Sequence, residues 1–484
     1  MPIPIRQIPA NLLVPGQYQE IDNSLAGSQG DIKKALMIGL MTGEGTAGPG
    51  KPVQVLSETK AHQLFGQGSH AAIMAATFLS LNKVEELWVL PVAEAQAGTA
   101  WKKVFSVTVS TAVAGAVSIL INGKKMTAAI EADADAEAVA AAIVACINSD
   151  ITLPVTAEAD AGSVTVLSTV KGTAGNYNAV SIAAETSSGI TITDGQKTPG
   201  ANDPAIDFSR LGEVRYNFMA SAFDSVDAIR ASSDELESRY GAMRQIGGRM
   251  YIGLAGELGS VSESGTMLGQ AEEVNSPHIM LVPRGKNPEL PCVWAAAWCA
   301  IACRILADDP AANTYDTKIP GLLGGVEFTA DERQKLLQAG IATYRLDTTG
   351  NVLIERLVTS YTENTDGGRD TSYLDVQVTE TVDAVRTYIN AEAKKRFKTW
   401  KLAGTEENFG SGAKVMTAGV FRSFLAELYS EVFIKAFQWC QDFDGYKKSI
   451  IVEVKQDSKT RLEYQHQPNL IGQFYIGAGL LQFK

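Results

Sequence analysis

Residues Ala35–Met41 read ALMIGLM, an uncharged apolar run broken only by a glycine. A strand with one face in water alternates apolar and polar side chains. One buried on both faces reads as a continuous apolar run. The stretch therefore predicts a central strand with both faces covered. Its surroundings agree. A Gly-rich loop leads into PVQVLSE (Pro52–Glu58), which alternates as an extended segment. SHAAIMAATFLSLN (Ser69–Asn82) has helical spacing and opens on Ser69, a suitable N-cap. ELWVLPV (Glu86–Val92) is a second continuous apolar strand. This rhythm is that of an α/β domain with a parallel sheet.

The texture then changes. From Val104 to about Asp203 the chain is rich in Val, Thr, Ser, Ala and Gly. GAVSILINGKKMTAAI (Gly115–Ile130) places two extended runs around Asn122-Gly123, a two-residue hairpin signal. DAEAVAAAIVACINSD (Asp135–Asp150) reads as a helix, and PVTAEA, SVTVLSTV and AVSIAAE as short strands. TDGQKTPGANDPA (Thr193–Ala205) reads as an exit linker. The α/β pattern resumes with the strand NFMAS, an amphipathic helix from Ser225 ended by Gly247-Gly248, and the strands RMYIGLAG and HIMLVP. From Thr329 the pattern is α+β: a capped helix, a hairpin around TTGN, two long helices, and a run of strands.

The expected division is an N-terminal arm over 1–29, a first core part over 30–104, and a β-rich insertion over 105–204. A second core part follows over 205–468, and a C-terminal arm strand over 469–484. The fold class is α/β and α+β multidomain. A chain of 484 residues is too long for a single core, which fits this division.

Net charge is −12, a field that repels nucleic acid. The start MPIPIRQIPANLLVPG carries prolines at 2, 4, 9 and 15, so no helical secretory signal is expected. No run of about 18 uncharged apolar residues occurs, so no membrane-spanning helix is expected. Cys292, Cys299 and Cys303 fall on one apolar helix, but no histidine is spaced to complete a metal site, and free buried thiols are expected.

The Gly43–Lys51 loop matches both G-x-G-x-x-G and G-x-x-x-x-G-K. A phosphate loop must open a helix whose first amides face the anion. Here Pro52 stands where Ser or Thr would hold magnesium, and the next residues are extended. A surface loop is expected, with a nucleotide-binding α/β enzyme as the rival. Glu363, Asp366, Asp370 and Asp375 lack the spacing of a calcium loop and read as turn residues. No catalytic signature is present, so a structural protein rather than an enzyme, with no cofactor, is expected.

Several segments resemble phage tail sheath proteins, especially the Mu-like family. They are LLVPGQYQEIDNSLAG (Leu12–Gly27), FGQGSHAAIMAATFLSLNKVEELWVLPV (Phe65–Val92) and DDPAANTYDTKIPGLLGG (Asp308–Gly325). LLQAGIATYRLDTTGNVLIERLVTSYTEN (Leu336–Asn364), GGRDTSYLDVQVTETVDAVR (Gly367–Arg386) and RLEYQHQPNLIGQFYIGAGLLQF (Arg461–Phe483) continue the resemblance in the same order. It spans nearly the whole chain. The family usually has a proline where Met416-Thr417-Ala418-Gly419 stands here.

The resemblance implies a structural subunit of a contractile tail sheath, forming stacked hexameric rings around an inner tube. On triggering, the sheath contracts and drives the tube through the host envelope. Implied partners are further copies of the chain, the tail tube, the baseplate and a tail terminator, with no direct nucleic acid and no stable membrane association. The implied location is the virion tail, after assembly in the host bacterial cytoplasm. A phage-derived contractile bacteriocin or injection device uses similar sheaths. The family links subunits by strands donated from terminal arms, a form of β-augmentation. That implies strand donation by Tyr18, Glu20 and Ile21 in an N-terminal arm near Leu12–Asn23. It implies the same of Phe474, Ile476, Leu480 and Phe483 near Leu470–Phe483, with hinges near Pro15-Gly16 and Gln467-Pro468. The closing NLIGQFYIGAGLLQFK would otherwise be an apolar edge with no partner, a liability in a soluble protein.

Overall fold

The structure is a computed structural model that describes residues 33–185, 188–407, 409–410, 412–455 and 458–483. The expected N-terminal arm, with Pro15, Gly16, Tyr18, Glu20 and Ile21, lies outside the described residues. The described part is a mixed α/β fold built around three hydrophobic clusters.

The first cluster surrounds a six-stranded sheet. In spatial order its strands are Ile279–Gly285, Arg249–Ala255, Phe218–Ser221, Lys34–Leu40, Glu86–Val92 and Val53–Gln54. All adjacent pairs are parallel except the last, where Val53–Gln54 runs antiparallel at the edge. The ALMIGLM strand is central. It pairs Ala35 with both Phe218 and Leu87, and residues Ala35 to Leu40 are all buried. Ser69 caps the helix His70–Leu81 by accepting from the Ala72 amide. That helix lies beside the apolar helix Pro291–Leu306, and Asn82 Nδ2 donates to the Ala300 carbonyl at 3.2 Å. Cys292, Cys299 and Cys303 are buried free thiols on this second helix. Burial raises all three thiol pKa values, that of Cys292 to about 12.

The second cluster belongs to the insertion. Its ends meet at the Thr99–Ala201 bridge, and its leading strand Ala100–Val109 pairs with Ile190–Thr198. The expected limits of 105 and 204 thus shift toward the N-terminus, and Thr193–Thr198 is strand rather than linker. Gly and Lys residues there suggested a loop; cross-strand pairing overrides that local preference. Asn122 and Gly123 both take positive φ (49° and 84°), as the two-residue hairpin demands. The helix after Phe218–Ser221 ends at Gly241, short of the expected Gly247-Gly248. Buried Arg239 then donates to the Gly212 and Val214 carbonyls, tying the helix end to the preceding loop.

The third cluster lies in the C-terminal part. Helix Val376–Phe397 and the helix from Ala418, which continues in π-helical form over Leu428–Ala436, enclose Phe424, Tyr429 and Phe433. Buried Arg249 links this part to the main sheet, donating from Nε to Thr379 Oγ1 at 2.9 Å and from a terminal nitrogen to the Thr379 carbonyl at 2.6 Å. No helix among the described residues is long and apolar enough to cross a membrane.

Close backbone contact makes one position testable. A Cβ on Gly253 would lie 2.1 Å from the Pro291 carbonyl oxygen, with further Pro291 backbone at 2.7 and 3.0 Å. Backbone cannot move aside as a side-chain tip can. Gly253→Ala is expected to cost about 1–3 kcal/mol or more through overpacking, read as a lowered midpoint in chemical denaturation. An unchanged midpoint would refute this packing.

Candidate assembly surface

The C-terminal segment is anchored along its first half and free along its second. Asn469–Leu470 pairs antiparallel with Cys440–Gln441, and the Ile471 amide donates to the Trp439 carbonyl at 3.0 Å. Tyr429 seals this joint: its hydroxyl donates to the Gln441 carbonyl at 2.6 Å and accepts from the Asn469 amide at 3.0 Å. Gln473 Nε2 donates to the Ala311 carbonyl at 2.8 Å. Tyr475 is the last anchored residue. The Arg356 guanidinium lies 4.8 Å from its ring, and Gln377 Nε2 donates to its hydroxyl at 3.4 Å. Arg356 is itself held by a two-point pair with Asp375, at 2.8 and 3.0 Å. Burial chiefly raises the Tyr475 phenol to about 12, so it stays neutral and hydrogen-bonded.

Beyond Tyr475 the contacts stop. Residues 476–483 form no strand, and none makes a hydrogen bond with the described residues. Ile476 is 80% exposed, Leu480 84%, Leu481 90% and Phe483 95%. Scattered apolar side chains on a surface are ordinary; a contiguous exposed set marks an interaction site. Phe474 is also exposed, although its carbonyl accepts from Asn313 Nδ2.

The expected strand over 469–484 is thus a two-residue pair within the chain, followed by an unpaired tail. The hinge candidates Gln467 and Pro468 fall in the anchored half. The Gln467 amide donates to Ser449 Oγ at 3.0 Å, and Pro468 packs beside Leu470 in a cavity wall. Sequence alone did not separate the halves, because the groups that anchor the segment, the Ala311 carbonyl and the side chains of Arg356 and Gln377, lie far away in the chain.

Receptive features lie close by. Ile451–Val454 and Leu462–Gln465 form a two-stranded antiparallel sheet, so each strand has a free edge among the described residues. A free strand edge is the surface to which a further strand adds. Beside it, an apolar cavity of about 300 Å³ is lined by Val382, Val385, Ile389, Tyr464, Pro468 and Leu470.

The rival site is differently built. After the Gly43–Lys51 loop comes the edge strand Val53–Gln54 rather than a helix. Four of the loop's amides are already used: Gly45 donates to the Thr42 carbonyl, Thr46 to Gln63, Ala47 to Leu64, and Gly50 to Pro91. Among the carboxylates between Glu363 and Asp375, Asp370 accepts from Tyr361 and Ser372, and Asp375 pairs with Arg356. No metal-ligand cluster is present among the described residues.

No family model matches the chain. Over its whole length it is similar to the Mu-like prophage FluMu tail sheath protein of Haemophilus influenzae, with 29% identity over 496 residues that cover 100% of both proteins. This chain is a full-length relative of a Mu-like tail sheath protein. The sheath relative is a structural protein and not an enzyme. Among solved structures, a sheath tail protein from Desulfitobacterium hafniense is similar at 12% identity and a TM-score of 0.45, covering 94% of this chain and 100% of that one. The anti-feeding prophage helical sheath in its contracted state is similar at 11% identity and a TM-score of 0.42, covering 98% of this chain and 99% of that one.

The anchor at Tyr475 gives a direct prediction. A cation–π contact contributes about 0.5–2 kcal/mol depending on its burial. Tyr475→Ala is expected to release the segment back toward Ile471, so that limited proteolysis trims the chain further inward than in the parent. Identical cleavage sites in the two proteins would show that Tyr475 is not the anchor.

Proposed function

We propose that this chain is the structural subunit of a contractile tail sheath, polymerising as stacked hexameric rings around an inner tail tube. Contraction then drives the tube through the host envelope. The observation that carries this reading is the free apolar tail, Ile476 to Phe483, on a chain whose whole length resembles a sheath protein. The tail is the strand donated to a neighbouring copy, and Leu12–Asn23, with Tyr18, Glu20 and Ile21, is the corresponding N-terminal arm. The free edges of Ile451–Val454 and Leu462–Gln465 and the adjacent cavity suit them as the receiving surface. Further partners are the baseplate, the tail terminator and the tube; the location is the virion tail, with assembly in the host cytoplasm.

The energetics favour a lattice over a single contact. Burying Ile476, Leu480, Leu481 and Phe483 is worth roughly 1.5–3 kcal/mol each. Ordering the tail costs roughly 1–2 kcal/mol per residue. These nearly cancel, so one donated strand holds weakly. Many arms engaged at once bind with a high effective concentration and hold firmly. Bending in the tail is assigned to the stretch after Tyr475, where Gly477 and Gly479 give the backbone freedom.

Truncation after Tyr475 tests this. The shortened chain is expected to keep its fold, with circular dichroism and melting close to the parent's, and to form no tubes in negative-stain microscopy. Striated tubes from the truncated chain would overturn the assignment of the tail as the link between subunits.

A further inference from the structure

The six-stranded sheet contains a point where its connections diverge. From Lys34–Leu40 the chain proceeds to Glu86–Val92 on one side; from Phe218–Ser221 it proceeds to Arg249–Ala255 on the other. In open α/β sheets, the crevice at the strands' carboxyl ends beside such a point is where ligands bind. Here the insertion is packed against it. Val170 and Ala174 belong to the main hydrophobic cluster, and Tyr177 packs on that cluster, although all three are part of the insertion's chain segment. Thr169 Oγ1 donates to the Gly68 carbonyl at 2.8 Å, and the Lys171 amide to Glu94 Oε1 at 3.0 Å.

The groups around Tyr177 come from several strand ends. Asp224 follows Phe218–Ser221, and Arg284 lies at the end of Ile279–Gly285, with its guanidinium 6.0 Å from the Tyr177 ring. Asp203 accepts from the Thr173 amide at 2.7 Å and from the Thr173 hydroxyl. His70 begins the helix packed against Gly39 of the central strand. Two buried side chains here keep polar atoms without a hydrogen-bond partner: both ring nitrogens of His70, and Asp224 Oδ2. Unpaired polar atoms are rare in buried positions, and charging one is costly.

We propose that Thr173–Tyr177 is a built-in occupant of the sheet's ligand crevice, fastening the insertion to the sheet as one rigid body, and that the buried groups His70 and Asp224 give this joint opposing responses to acid. The proposal stands independently of the sheath reading.

The signs follow from the two environments. Burial, as the main cause, raises Asp224 from an ordinary 3.8 to about 6; Asp203 also raises it, while Tyr177 and Arg284 act to lower it. Cys292 is the further ionisable group coupled to Asp224, and burial keeps that thiol neutral. Between about 6 and 3.8 the folded chain therefore takes up the proton first, so acidification stabilises it. Burial, as the main cause, lowers His70 from an ordinary 6.5 to about 4, against an opposing pull from Asp203. Between 6.5 and about 4 the unfolded chain takes up the proton first, so acidification destabilises the fold. The two windows overlap, and the effects offset each other. Each group alone changes the folding equilibrium by up to about tenfold per pH unit inside its window.

Thermal unfolding of the full-length chain at low micromolar concentration, from pH 4 to 7, tests this together with hydrogen exchange. The parent is expected to melt in one step, with the insertion's core amides exchanging together with those of the sheet. Asp224→Asn should lose stability on acidification more steeply than the parent, and His70→Gln should instead gain. A separate, earlier transition for the insertion would overturn the rigid joint. Variants whose pH profiles parallel the parent's would overturn the opposing pair. If one substitution prevents folding, the other variant and the parent's melting pattern still decide the matter.

Discussion

The pairing of Lys34–Leu40 on both flanks is the constraint on which the rest of the molecule depends. Its neighbours come from different parts of the chain, Glu86–Val92 soon after it and Phe218–Ser221 only beyond the insertion. Closing so long a loop is tolerable because loop entropy grows only slowly with length. It also requires that the loop's two ends lie together. The Thr99–Ala201 bridge and the paired strands that follow meet that requirement, so the insertion folds around its own core without disturbing the sheet. Buried on both faces, the central strand leaves no room for side-chain bulk at Gly39, where a Cβ would lie 2.8 Å from the Ala71 amide nitrogen.

The C-terminal segment follows a different logic. Its anchored half uses polar contacts to fixed points of the body: Tyr429, Ala311, and the Arg356–Asp375 pair beneath Tyr475. Its free half carries apolar side chains and glycines with nothing to rest on. The root thus holds the tail's origin and direction while the tail keeps its conformational freedom. Binding partners that use such segments pay the ordering entropy only on association, which keeps single contacts reversible.

Much of this was legible in the sequence, and the exceptions have physical causes. ELWVLPV is a strand over Glu86–Val92 as expected, and the Ser69 cap and the Asn122-Gly123 turn are present, because each rests on local chemistry. Thr193–Thr198 reads as linker because it has the composition of a loop, and it is held as strand by its partner Ala100–Val109. The anchored half of the tail was hidden for a similar reason. No pattern within NLIGQFY tells that Gln473 meets Ala311 or that Tyr475 meets Arg356 and Gln377. The settings of Asp224 and His70 could not be foreseen either, because they are shaped by Tyr177 and Asp203, distant in the chain.

These features divide the chain into parts that can transmit force and parts that can yield. The sheet, the insertion docked on it and the Arg249 link to Thr379 are joined by buried contacts, which are close-packed and do not deform gradually. Strain applied to such a body passes to its weakest connection. Here that is the glycine-containing stretch past Tyr475, which is exposed and makes no hydrogen bond with the other described residues. In the proposed assembly, a compliant link of this kind lets bodies change their mutual angle while the strands that join them stay paired. In the proposed sheath, stiffness in the body and compliance at the tail are complementary, since a compliant body would absorb motion before it reached the joints.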